Sequence, residues 1–446
     1  MVVCVLLINK MLKNVRDTMI NGKIKNSTLF RFSSGLIGIQ FVWALIIANM
    51  SGIFALFQAK DSELGLLWIA PSIIGLIFPL LIGYLSDRTS TFLGKRLPYI
   101  IIGTAITTIT IICWSLVSSL MMAAIMLCVF MAGINTTQQP FRPLVSDIVS
   151  KNQYTSFYAI QTVMIGIGAT LAFIMPWFLK RYMITNIHIN NVPAPIMFSF
   201  FIGAIVLTAS VVWSLIAIKP YLLTSTQKKD QGTIQYSKQI THAKNTIVKI
   251  FTAQFFIWFG TFSFLIYLTP AIRQIIFHGY PTLIDPSLIE QCTIITGLVS
   301  AAYTLVSIIF AYLIPILNRR ISRKIILTLS LLLGGISLGL ICLIHRELYL
   351  FVLMTGIGIA WAAFNSIPFA ILSNCAPKEK VGFYMGLSNV FICLPQIVVS
   401  LLIGSILKKF LKGNTVELML LAGICYIVAA IFIQLIHDTE TCKVRE

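Results

Sequence analysis

The chain reads as long apolar runs broken by short polar and basic segments. Runs of roughly 20 apolar residues recur often enough for about twelve membrane spans. Their cores begin near Ser34, Leu66, Pro98, Met121, Phe157, Ile196, Ile250, Ile289, Ile325, Leu348, Gly382 and Val416. Lipid offers no partner for backbone N–H and C=O groups, so spans must be helices or a closed barrel, and runs this long without strict alternation are helices. The pattern predicts an all-α, polytopic membrane protein.

The polar breaks divide the chain into an N-terminal tail over 1–30, a six-helix bundle over 31–218, a linker over 219–249, a second six-helix bundle over 250–437 and a C-terminal tail over 438–446. The linker loses its apolar runs and gains Gln, Lys, Thr and Ser. The two halves echo each other. Pro140-Phe141 is followed sixteen residues after the Phe by Phe157-Tyr158, and Pro368-Phe369 is followed fourteen residues later by Phe383-Tyr384. Such a repeat implies duplication and a binding site at the midplane between the bundles.

Composition removes the soluble alternatives. With 58% hydrophobic residues, 11% charged and a mean hydropathy of +0.92, the chain would expose large apolar patches in water. The net charge of +19 does not indicate a nucleic-acid partner, because Lys and Arg gather in alternate loops and at both termini. That is the positive-inside bias of an even number of spans with both termini cytoplasmic; Lys408, Lys409 and Lys412 alone fall in a predicted outside loop. The nine cysteines are scattered singly, without CxxC or Cys/His metal spacing, so no metal or cofactor is expected. No nucleophile, base or phosphate-binding loop suggests an enzyme or an ATP-driven pump.

One inter-span segment is far more specific than the rest. Gly83-Tyr-Leu-Ser-Asp-Arg-Thr-Ser-Thr-Phe-Leu-Gly-Lys-Arg-Leu-Pro-Tyr99 resembles the loop between the second and third helices of major facilitator superfamily transporters, and in its extended form their sucrose-transporter-like sugar symporters. Further segments are similar to the same branch: Gly38-Ile-Gln-Phe-Val-Trp-Ala-Leu45, Pro140-Phe-Arg-Pro-Leu-Val-Ser-Asp147, Tyr267-Leu-Thr-Pro-Ala-Ile272, Gly358-Ile-Ala-Trp-Ala-Ala-Phe-Asn-Ser-Ile-Pro-Phe369, Tyr384-Met-Gly386 and Pro395-Gln396. The resemblance implies a multi-pass sugar carrier of the cell membrane, commonly proton-coupled, often acting on disaccharides, and able to work as a monomer. Two departures stand out: Gly94-Lys-Arg-Leu-Pro-Tyr99 replaces a more basic run, and Tyr303-Thr304 replaces a Tyr-Asn pair.

Within the spans, polar residues mark candidate sites. At 100° per residue, Asn135, Gln138, Gln139, Arg142 and Ser146 share one face of the fourth span. Arg142 is either a substrate contact or a snorkelling interface anchor. Asp147 falls about 140° around from it and is either a proton-carrying carboxylate or a latch to Arg88. The latch is favoured, because a carboxylate beside Arg stays ionised. Asp87 is expected near the start of the eleventh span, where a helix N-terminus attracts an anion, with Arg88 and Arg96 supplying latch partners. Shorter stripes add Gln40 with Trp43; Gln254, Trp258 and Thr261; Thr296, Ser300, Tyr303 and Ser307; Trp361 with Asn365; and Asn389 with Gln396. Amides and hydroxyls suit a neutral polyol, and flat aromatic faces cover the apolar side of a sugar ring. The expected substrate contacts are Arg142, Gln40, Trp43, Asn135, Gln139, Trp258, Asn365 and Gln396, with Asp147, Asp87, Arg88 and Arg96 in coupling or gating. An anionic solute bound by Arg142, an uncoupled facilitator and a non-transporting sensor or scaffold stand as alternatives.

Overall fold

The computed structural model describes residues 19–20, 23–57, 61–91, 93–141, 149, 153–182, 188–189, 192–225, 237–277, 286–344, 346, 348–375 and 381–436. Among them the order is β1 (Met19–Ile20), β2 (Lys23–Ile24), α1 (Asn26–Ser33), α2 (Gly35–Leu56), α3 (Asp61–Arg88), α4 (Leu97–Cys113), α5 (Leu120–Phe141) and α6 (Tyr154–Tyr182). Then come β3 (His188–Ile189), β4 (Val192–Pro193), α7 (Ala194–Ser225), α8 (Ser237–Phe277), α9 (Pro286–Leu317), α10 (Arg323–Leu340), α11 (Leu348–Cys375), α12 (Val381–Lys409) and α13 (Glu417–Gln434). Eleven of the described helices are long and apolar enough to cross a membrane, and α1 with the start of α2, bent by 41°, makes a twelfth. The predicted all-α polytopic architecture is the one observed.

Many hydroxyl residues in these helices satisfy their donors by bonding back one turn. On α4, Thr104, Thr107 and Thr110 donate to the carbonyls of Ile100, Gly103 and Ile106 at 2.7, 2.8 and 2.7 Å. The outward faces are greasy, as lipid requires: Ile205 is 70% exposed and Val352 67%.

The same small-residue crossing recurs in each half. A Cβ on Gly103 of α4 would stand 2.8 Å from the Gly133 carbonyl of α5, and one on Gly334 of α10 would stand 3.3 Å from the Gly356 carbonyl of α11. Backbones approach this closely only where side chains are missing. Both α4 and α10 also end in a 3-10 turn, Trp114–Leu116 and Ile341–Leu343.

Helices α2–α7 form one half and α8–α13 the other. They meet along two seams, α3 against α12 and α6 against α9 and α11. Along the second seam, hydroxyls meet in pairs: Tyr158 with Ser373 at 2.7 Å, Thr162 with Ser366 at 2.8 Å and Thr170 with Thr304 at 2.7 Å.

Two boundaries differ from the hydropathy reading. Helix runs through part of the predicted linker, to Ser225 and again from Ser237. Backbone hydrogen bonding continues into water after the apolar run stops, so hydropathy ends a span before its helix ends. At the other boundary, α1 and the β1–β2 hairpin occupy part of the predicted tail. The Gln153 side chain clips this segment in place, its Oε1 accepting from Ile24 N at 3.1 Å and its Nε2 donating to Ile24 O at 2.9 Å.

Candidate functional site

A cavity lies between the two halves, with about 710 Å³ of space free of protein atoms including its open mouth. Helices that supply more than one residue do so mostly at spacings of three, four or seven, which is one helical face. From the first half come Gln40 and Trp43 of α2, Gly75 of α3, Met131, Asn135 and Gln138 of α5, and Ile165 of α6. From the second come Trp258 and Phe262 of α8, Trp361 and Asn365 of α11, and Asn389, Ile392, Cys393 and Gln396 of α12.

Six carboxamides and three indoles thus dominate the described lining, which holds no Asp, Glu, His, Lys or Arg. The amides are partly tethered. Asn135 Nδ2 donates to Met131 O at 2.8 Å and Asn365 Nδ2 to Trp361 O at 3.0 Å, each to its own helix one turn back. Asn389 Nδ2 instead crosses to Gly75 O in the other half, at 2.8 Å, and also reaches Cys393 Sγ at 3.4 Å. Gly75 permits this approach, since a Cβ there would stand 3.2 Å from Cys393 Sγ.

Trp258 and Trp361 lie edge to face, centroids 6.1 Å apart. Behind them Trp361 packs on Tyr303 at 5.4 Å and on Phe364 at 5.3 Å, so the indole walls are held by further aromatic rings. Trp361 is buried and its Nε1 donor has no described partner.

Of the expected contacts, Gln40, Trp43, Asn135, Trp258, Asn365 and Gln396 meet in this cavity. Gln139 does not; it is buried beside the lining, and its neighbour Gln138 takes the cavity position. Arg142, Ser146 and Asp147 lie outside the described residues. The α9 stripe also turns away. Thr296 bonds to Cys292 O and Thr269, Ser307 to Thr304 O, and Tyr303 backs Trp361. Gln254 accepts from Ser388 at 2.9 Å and Thr261 meets the Tyr426 hydroxyl at 2.9 Å, both within the second half. These contacts lie in the helix packing and not in the cavity. Gly75, Met131, Ile165, Phe262, Ile392 and Cys393 carried no polar signal in the sequence, although Phe262 and Met131 sit one turn from Trp258 and Asn135 and share their faces.

At the α3–α4 loop, Gly94 takes φ +90, which a side chain would resist, and closes a turn with Thr91. The turn brings Arg96, buried at 4% exposure, to Asp87, with Nη2 3.5 Å from Oδ1. Arg88 lies over the Tyr84 ring at 4.1 Å. Helices α3 and α12 run antiparallel, with Gly386 against Pro79 and Leu80 and Asn389 against Gly75. At 1.5 Å per residue, this register carries Asp87 roughly one turn beyond Val381, the first residue of α12. The second-half loop places Arg323 differently: it is buried, and its Nη1 reaches Thr155 Oγ1 of α6 at 3.4 Å, across the seam.

Residues 32–289 and again 250–445 match the family model of the Major Facilitator Superfamily. The chain is 22% identical to Sucrose transport protein SUT5 of Oryza sativa subsp. indica over 85% of its own length and 82% of that protein. It is 22% identical to Sucrose transport protein SUC4 of Arabidopsis thaliana over 94% and 92%. The General alpha-glucoside permease of Schizosaccharomyces pombe is 22% identical over 54% of this chain and 47% of that one. With both halves matched and a multi-pass all-α fold closing around a central cavity, this chain belongs to the major facilitator superfamily of membrane transporters.

Proposed function

We propose that the chain carries a neutral sugar, a disaccharide or glucoside, across the cell membrane by alternating access and in symport with a proton. The observation that carries the sugar reading is the lining of six carboxamides and three indoles. Amides offer donors and acceptors to hydroxyls without a charge, and indole faces cover the apolar side of a pyranose. An anion would need fixed cations, and the described lining has none. Relatives named for sucrose transport and for an alpha-glucoside permease support the same class. Both halves contribute to the lining, as rocking of one half against the other about a central site requires. The basic residues of alternate loops favour cytoplasmic termini, and the fold can work as a monomer. Gln40, Trp43, Asn135, Gln138, Trp258, Asn365 and Gln396 are the proposed substrate contacts, with Asp87 and Arg96 holding the α3–α4 loop.

In this reading Asp147 carries the proton in a state that parts it from Arg88, since beside the guanidinium it would stay ionised and serve only as a latch. Uncoupled facilitation is the second reading, and one observation favours it: the described lining contains no carboxylate or imidazole. Uptake of labelled sucrose, maltose and glucose into proteoliposomes, with and without an inward proton gradient, separates the two. Accumulation above equilibrium that an uncoupler abolishes, and that Asp147→Asn loses, supports symport through Asp147. Equilibration indifferent to the gradient supports facilitation. Flux of none of the three sugars refutes the sugar reading.

A further inference from the structure

Three of the cavity amides have committed their nitrogens to the protein. Asn389 has spent both N–H groups, one on Gly75 O and one on Cys393 Sγ; Asn135 and Asn365 have each spent one on a main-chain carbonyl. A carbonyl oxygen accepts only from a donor, so these contacts fix which end of each amide is nitrogen. The amide is planar, and turning its nitrogen back to the backbone turns Oδ1 the other way. No described protein group donates to any of the three oxygens. The cavity glutamines differ, for Gln40, Gln138 and Gln396 have no described hydrogen-bond partner and can rotate to offer either end.

We infer that Asn135, Asn365 and Asn389 form a fixed frame of hydrogen-bond acceptors, which selects a substrate by the hydroxyl groups it can donate. The inference rests on the sugar reading above and adds a rule to it. A hydroxyl meeting one of these oxygens must arrive as the donor; an ether oxygen or a fluorine at the same position brings lone pair against lone pair. In an enclosed site, leaving a polar group unpaired costs enough to weaken binding roughly tenfold or more. The frame draws on α5 of one half and on α11 and α12 of the other, so both halves take part in reading the sugar's donors.

The test uses the intact wild-type carrier in proteoliposomes and whichever of sucrose, maltose and glucose it takes up fastest. Monodeoxy and monodeoxyfluoro analogues of that sugar compete against the labelled parent. Fluorine still accepts weakly but cannot donate. The expected result is that, at two or more ring positions, the fluoro analogue competes as poorly as the deoxy analogue, each about tenfold or more weaker than the parent. Fluoro analogues that compete like the parent at every position would overturn the inference while leaving sugar transport intact. No flux of any parent sugar overturns the sugar reading and the frame with it. An Asn365→Leu variant supplies a second readout: the preference for hydroxyl over fluorine should collapse at one position only. A purely structural role would instead lower uptake of all analogues by the same factor.

Discussion

Asn389 of α12 donates to the carbonyl of Gly75 in α3, at 2.8 Å, and that carbonyl is free for a reason written four residues further along: Pro79 has no N–H to give it. One half of the protein breaks its own helix ladder and the other half completes it, at the wall of the cavity. Pro79→Ala restores the intrahelical donor and sets it in competition with Asn389. The expected outcome is a looser α3–α12 seam, seen as several-fold faster labelling of the buried Cys393 by a maleimide. Labelling at the wild-type rate would mean that the bridge does not hold the seam.

Trp258 and Trp361 wall the cavity from the second half. Trp361→Ala removes the face and opens a void among Tyr303 and Phe364, and it should lower sugar uptake by well over tenfold. Trp361→Phe keeps a flat ring and loses only the Nε1 donor, so it should retain measurable uptake. Initial rates at equal membrane abundance decide; equal rates for both variants would exclude a stacking role.

The hydroxyl pair Tyr158–Ser373 bridges the other seam. Tyr158→Phe and Ser373→Ala each remove one member and should lower the melting temperature through the loss of one buried hydrogen bond, about 1 kcal/mol. The double variant should be no less stable than the worse single one, because the same bond is lost once. Additive losses, read by thermal unfolding in detergent, would show that the two hydroxyls act separately.

Asp87→Asn leaves the buried Arg96 guanidinium without the opposite charge 3.5 Å away. Removing one member of such a pair costs more than the pair was worth, here roughly 1–3 kcal/mol because Asp87 is partly in water. Stability should fall, and an unchanged melting temperature would show that the loop does not rely on this contact.

The spans were legible because a membrane demands length and apolarity, and both are printed in the sequence. The faces were legible because 100° per residue puts Trp361 with Asn365 and Asn389 with Gln396 wherever the helix goes. Which way a face points was not. Thr296 and Ser307 of α9 belong to a stripe as regular as any cavity wall, yet they bond within the helix and to Thr269 of α8. Gln138 and Gln139 are one residue apart, so a small rotation of α5 decides which of them meets the cavity. Gly75 contributes a missing side chain and a carbonyl, and neither has a sequence signal beyond Pro79 downstream.

The clip between Gln153 and Ile24 joins residues 129 positions apart. A ribosome delivers Ile24 first, and Gln153 follows only after α2–α5 have been made. The opening segment therefore has no docking place during most of the synthesis of the first half. It gains one only when Gln153, at the entrance to α6, has been made, so the clip closes late in the assembly of the first half.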